Sequence, residues 1–213
     1  MKVIDDNGRK FQGKIGNLIY YTMNGETFAR RASIPGKPRK PRTETQRKLS
    51  SRFTIVQKLY SFYKQKISPD IWRLAGKLQG KMAANLFFME NHGCFDGEGK
   101  MAAPDMFHFS AGELLLPWDI QVAPLGEGHF RVTWREERDV STTAPDDELR
   151  VGVIYDSTLL GVTWANRMEG RRGEGQGEFS LDTGKESGAH VYLFFARADG
   201  SAYSPSWHVH VDL

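Results

Sequence analysis

The spacing of apolar residues changes sharply past Asn91, and the change limits the layers this chain can build. Between Thr43 and Asn91 apolar residues recur in steps of three and four. From about Phe107 they sit in short runs of period two with turns between. The first spacing makes amphipathic helices and the second makes half-buried strands. The expectation is an α+β protein: an N-terminal β-hairpin and helical hairpin, followed by a β-sandwich.

The helical part starts on a clear signal. Thr43 and Gln46 fit a capping box, and Glu44 lies in the first turn, where the helix dipole favours an acid. Leu49, Phe53, Val56, Tyr60, Tyr63 and Ile67 form one apolar stripe. Ile55, Leu59 and Phe62 form a second beside it, so this helix is expected to pack on two sides. Ser68-Pro69-Asp70 ends it and starts a second helix, in which Ile71, Leu74, Leu78, Met82, Leu86 and Met89 share a face. The two predict an antiparallel helical hairpin.

Ahead of the helices, Asn24-Gly25 joins two runs, 17–23 and 26–32, that carry Ile19, Tyr20, Tyr21, Thr27 and Phe28. A type I′ turn needs positive φ at both central positions, which Asn-Gly supplies, so a β-hairpin is predicted. A two-stranded ribbon is marginal alone in water. It needs a surface, from this chain or from a neighbour. Residues 34–41 then interleave Pro35, Pro38 and Pro41 with Lys37, Arg39 and Lys40, which predicts an extended, polyproline-like strap.

Past a loop marked by Gly93, Gly97 and Gly99, strands are predicted at 114–122, 129–136, 149–156, 161–166, 177–181, 190–198 and 204–211. Seven short strands in roughly 100 residues match an immunoglobulin-like or fibronectin-III-like sandwich. The single Cys94 excludes an inter-sheet disulfide and favours the fibronectin type. In 190–198, Tyr192, Phe194 and Ala196 alternate with Val191, Leu193 and Phe195, so both faces are apolar. One face should line the sandwich and the other should lie under the helices. The expected division is a basic N-terminal region, 1–106, and an acidic sandwich, 107–213.

Charge supports that division. Residues 1–100 hold 20 Lys and Arg against 8 Asp and Glu, a balance of +12. Residues 101–213 hold 9 against 18, a balance of −9. Such asymmetry points to partners, either a polyanion or another copy docking basic end to acidic end. No apolar run is long enough to span a bilayer, and the acidic start of the chain lacks a signal-peptide apolar region. The expected location is the cytoplasm, or a virion assembled there.

Several short motifs carry a resemblance. They are Gly13-Lys14-Ile15-Gly16-Asn17 with Asn24-Gly25 and Arg30-Arg31, then Pro41, Thr43, Gln46, Arg52 and Phe53. Phe107-His108-Phe109-Ser110-Ala111-Gly112-Glu113-Leu114 supplies a Ser-x-Gly-x-Leu pattern. Residues 147–155, Arg171-Arg172, Tyr192-Leu193-Phe194 and Ser204-Pro205-Ser206 extend it. Together they resemble a domain-of-unknown-function family of uncharacterised bacterial proteins with the same two-part architecture. Trp164 and the Gly-rich stretch 170–177 depart from that pattern. The resemblance implies one inherited architecture and no activity.

Motifs for chemistry are sparse. Gly97-Glu98-Gly99-Lys100 fails as a phosphate loop, because Cys94 stands where the first Gly belongs and Met101 where Ser or Thr would hold magnesium. His92, Cys94 and His108 lack zinc spacing and are expected to be a structural loop with a buried thiol. His208 and His210 share a strand face with Trp207, Val209 and Val211 opposite, and His190 falls on a neighbouring strand. A metal pair or a pH sensor is one reading of these imidazoles, and solvent-facing side chains are the expectation. Asp146-Asp147-Glu148 lacks calcium-loop spacing and is expected to be a solvated turn. No catalytic, cofactor or metal-ligating residue is assigned.

The basic N-terminal segment is the candidate partner site: Tyr20, Tyr21, Phe28, Arg30, Arg31, Lys37, Arg39, Lys40 and Arg42. It reads as a solvated basic face, as a dock for an acidic protein surface, or as a nucleic-acid contact through phosphates and stacked bases. The expected function is a non-enzymatic structural or interaction protein, without cofactor, that self-associates or joins a filament- or virion-like assembly. Alternatives are a nucleic-acid-associated protein, or a carbohydrate- or surface-binding sandwich with Trp164, Trp207 or Tyr203 as exposed platforms.

Overall fold

A computed structural model describes residues 2, 3, 12–23, 25–33, 41–136, 142–184 and 186–213. Asn24 of the predicted turn, and Pro35, Lys37, Pro38, Arg39 and Lys40 of the predicted strap, lie outside the described residues. The chain divides into two compact units, Met1–Arg42 and Thr43–Leu213.

The first unit is an antiparallel sheet of β1 (Lys2–Val3), β2 (Gly13–Ile15), β3 (Leu18–Met23) and β4 (Glu26–Arg31), in the order β1-β4-β3-β2. Strands β3 and β4 form the hairpin that Asn24-Gly25 predicts, with Tyr21 opposite Phe28 and Thr22 opposite Thr27. Gly25 holds a left-handed φ of 81°, as the turn requires. The predicted two-stranded ribbon is thus widened by a short strand on each side. Directly opposed residues share a face. Lys14, Ile19, Tyr21, Phe28 and Arg30 line one face, and Ile15, Leu18, Tyr20, Ala29 and Arg31 the other.

The second unit begins with α1 (Glu44–Lys66), α2 (Asp70–Leu78) and α3 (Ala83–Asn91). The capping box at α1 is formed: the Gln46 amide donates to Thr43 Oγ1 at 3.3 Å, and the Thr43 amide donates to Gln46 Oε1 at 3.1 Å. The predicted second helix is two helices. Gly80, with φ 64°, ends α2, and the Lys81 amide turns back to the Gly76 carbonyl at 2.8 Å. A continued helix cannot follow a left-handed residue, so α3 restarts on a new axis. Of the predicted face, Leu78, Met82 and Met89 lie at the surface, and Trp72 and Ala75 of α2 and Phe87 of α3 are buried instead.

Strands β5 (Trp118–Gly126), β6 (His129–Arg135), β7 (Glu148–Tyr155), β8 (Val162–Trp164), β9 (Arg167–Gly170), β10 (Gln176–Ser180), β11 (Gly188–Ala196) and β12 (Trp207–Asp212) follow. They form two antiparallel sheets, ordered β5-β6-β10-β9 and β12-β11-β7-β8. Among the described residues of this region there are eight strands rather than the seven expected. The extra one, β9, is Arg-Met-Glu-Gly, which carries no β-branched or aromatic signal.

Two apolar cores hold this unit together. The inner one lies between the sheets and includes Phe130, Val132 and Trp134 of β6, Phe179 of β10, Val151 and Val153 of β7, and Val191, Leu193 and Phe195 of β11. The outer one joins Val56, Leu59, Tyr60 and Tyr63 of α1, Ile71, Trp72, Leu86 and Phe87 to Ile154, Tyr192 and Phe194 on the other face of β7 and β11. Strand β11 is therefore buried on both faces, as its sequence predicts. Phe109 sits at the centre of the outer core: Tyr63 donates to its carbonyl at 2.7 Å, and its ring stacks on Tyr192 at 5.6 Å. Because the helices and the sheets share this core, they belong to one compact unit, Thr43–Leu213.

Candidate functional site

The N-terminal sheet gathers part of the predicted partner site. Tyr21 and Phe28 stack at 5.8 Å, and exposed Arg30 lies on the same face. Lys14, which sequence reasoning left out, joins them because β2 pairs with β3 at Ile19. Tyr20 and Arg31 lie on the opposite face, and Arg42 lies beyond the sheet at the end of the unit. Lys37, Arg39 and Lys40 are outside the described residues.

The loop motifs have structural roles. In 96–100 the Asp96 carboxylate accepts from the amides of Glu98 at 2.8 Å and Lys100 at 2.9 Å, which holds the turn and keeps its pKa low. Cys94 is buried, and that burial pushes its thiol up to about 11, so it is a poor nucleophile at neutral pH. Buried Asn91 makes a two-pronged bond to the backbone of His108, fixing the segment that carries Phe107 and Phe109.

The turn at 146–148 departs from its expectation. Asp147 is fully buried rather than solvated, and it faces Arg172 Nε at 3.3 Å and Arg197 Nε at 3.2 Å. Arg172, itself buried, also reaches Glu136 at 3.1 Å and the Leu115 carbonyl at 2.7 Å, and lies over the Phe195 ring at 4.3 Å. The two arginines are distant in sequence, so nothing local marks Asp147 as their counter-ion. Trp164, Trp207 and Tyr203 are packed against the cores instead of standing out as platforms. A cleft of about 300 Å³ lies between α2 and segments 111–113 and 201–203, with Leu74, Leu78, Ala202 and Tyr203 as apolar walls and Lys77 and Glu113 at its polar side.

The histidines of β11 and β12 converge. His190 and His210 are register partners, and His208 lies diagonally across from His190 on the same face. His190 Nδ1 and His208 Nε2 are 2.9 Å apart and share one hydrogen. Asp156, just past β7, completes the group: its carboxylate lies 3.0 Å from His210 Nε2 and 3.5 Å from His190 Nε2. The expectation of solvent-facing imidazoles fails for His190, whose side chain is only 16% exposed. Burial holds the pKa of His190 below the ordinary value, with the nearby His210 adding to the effect and Asp156 opposing it. Burial and the adjacent His190 do the same to His208. Among the described residues, Asp156, His190 and His210 form the one group with ligand atoms spaced to hold a metal ion. The sequence paired the histidines but gave no cue for Asp156, since the β7–β11 register is not local.

Among the described residues no helix is long and apolar enough to cross a membrane. No protein-family model matches the chain, and no curated protein matches it.

Proposed function

We propose that this is a non-enzymatic interaction protein whose N-terminal unit attaches it to an acidic protein surface, a second copy of the chain being the preferred partner. The supporting observation is the N-terminal sheet. Across Gly13–Thr22 and Glu26–Arg31, Ala29 alone is buried. A sheet with so little burial gains little from its own fold and is stabilised by a covering surface. Charge favours an acidic cover: residues 1–42 hold 10 basic against 3 acidic residues, and residues 43–213 hold 19 against 23. Basic-to-acidic contact between copies is heterologous, so it extends into filaments or virion-like arrays unless the rotation closes a ring. The sheet's outer strands, β1 and β2, suit strand addition.

The body fits this role as a scaffold, and we read it as an immunoglobulin- or fibronectin-III-like sandwich. Taking β5 to β12 as A, B, C, C′, D, E, F and G, the sheets become ABED and C′CFG. The resemblance to the uncharacterised bacterial family accords with that architecture. A second reading, nucleic-acid association, is favoured by one observation: the stacked Tyr21–Phe28 pair shares its face with Lys14 and Arg30.

Light scattering after size-exclusion chromatography tests the first reading. The expected mass exceeds one chain at low salt, falls toward one chain at high salt, and falls at low salt in an Arg30→Glu/Tyr21→Ala variant. A single-chain mass at every salt and protein concentration would overturn it. Tight binding to a random oligonucleotide with a steep salt slope, in a chain that stays monomeric, would select the second reading.

A further inference from the structure

The geometry points to a divalent transition-metal site on the helix-facing side of sheet β12-β11-β7-β8, ligated by Asp156, His190 and His210. The three residues come from three chain segments, and their ligand atoms all lie within 4.8 Å of one another. Nitrogen and oxygen ligands bind such an ion at about 2.0–2.2 Å, which places them about 3.3–3.6 Å apart in a tetrahedron. The carboxylate already stands 3.5 Å from His190 Nε2 and 3.0 Å from His210 Nε2. Small side-chain rotations bring the set onto one ion.

Two further features accord with a metal site. First, His190 is oriented through its other ring nitrogen, Nδ1, by His208 at 2.9 Å. Metal-binding imidazoles are held in this way by a partner behind them. Second, Gly188 leaves the room. A β-carbon there would stand 2.6 Å from Asp156 Oδ2 and 2.9 Å from His210 Nε2. Gly188 has no left-handed φ, so its backbone does not call for glycine, and its missing side chain leaves space beside the ligand atoms.

The donor set selects the ion. Two imidazoles and one carboxylate suit Zn²⁺, Co²⁺, Ni²⁺ or Fe²⁺, whereas Ca²⁺ and Mg²⁺ want oxygen cages. Three protein ligands leave a coordination position for water or for a donor from another molecule. His210 and Asp156 are 41% and 35% exposed, so that position is open to solvent. An ion here ties the segment after β7 to the last two strands, and binding to the folded state raises its resistance to unfolding.

The test is titration of the full chain, purified without a polyhistidine tag and stripped with chelator, with Zn²⁺ and with Co²⁺. The expected result is saturable binding of one ion per chain, visible d–d absorption from Co²⁺, and a higher melting temperature with Zn²⁺. His210→Ala, at the most exposed ligand, is expected to abolish all three while keeping the far-ultraviolet circular dichroism of the native chain. His208→Ala should weaken binding about 10- to 100-fold. His129→Ala, on another sheet, should leave it unchanged. Absence of saturable binding in the native chain, or equal binding in folded His210→Ala, would overturn the proposal.

Discussion

The N-terminal sheet and the body treat apolar residues in opposite ways. In the body, aromatic side chains are gathered into two cores on the two faces of one sheet, with Phe109, Tyr192 and Phe194 in the outer core and Trp134, Phe179 and Phe195 in the inner. In the N-terminal sheet, Tyr21 is 38% exposed, Ile15 is 59% exposed, and basic residues stand among them. The body carries its own burial. The sheet leaves Tyr21, Ile15, Lys14 and Arg30 exposed, with Tyr20 and Phe28 half-buried. The same chain thus separates residues that stabilise it from residues that are available for contact.

Truncations in the two regions should differ sharply, and the largest effect belongs to the buried ion cluster. Arg172→Ala leaves Asp147 buried with one cation fewer and is expected to cost about 3–5 kcal/mol in urea unfolding. Arg30→Ala in the N-terminal sheet should shift the same transition by no more than about 0.5 kcal/mol. Equal effects would break the comparison. Next is Gly152→Ala. Its β-carbon would meet the Phe109 ring at 2.3 Å, and an overpacked core of this kind costs about 1–3 kcal/mol. A neutral Gly152→Ala would mean that the outer core is looser than drawn. A smaller effect within the body is expected at its first helix cap. Thr43→Ala removes the α1 cap and should cost about 1 kcal/mol, measured on the body's transition.

Local signals were the legible ones. Thr43 and Gln46 marked the start of α1, Asn24-Gly25 set the β3–β4 register, and the alternation of 191–195 foretold a strand covered on both faces. Each acts through neighbours in sequence. What stayed hidden depends on distant pairing. The α1 stripe suggested burial of Leu49 and Phe53, yet both are about half exposed, although Phe53 meets the Phe88 ring at 5.3 Å. Gly80 looked like a helix interior residue until its left-handed φ divided α2 from α3. Asp147 read as a solvated turn because its arginines are 25 and 50 residues away. Of the candidate metal group, two histidines were visible as a strand face. Asp156 and Gly188 needed the β7–β11–β12 register to become ligand and gap.

Amide hydrogen exchange across a protein-concentration series, at low salt, tests the central claim most directly. The account predicts that amides of β2, β3 and β4 exchange quickly in dilute protein and gain protection as concentration rises, while those of β7 and β11 stay protected throughout. Strong protection of the N-terminal sheet that is the same at every concentration would contradict it.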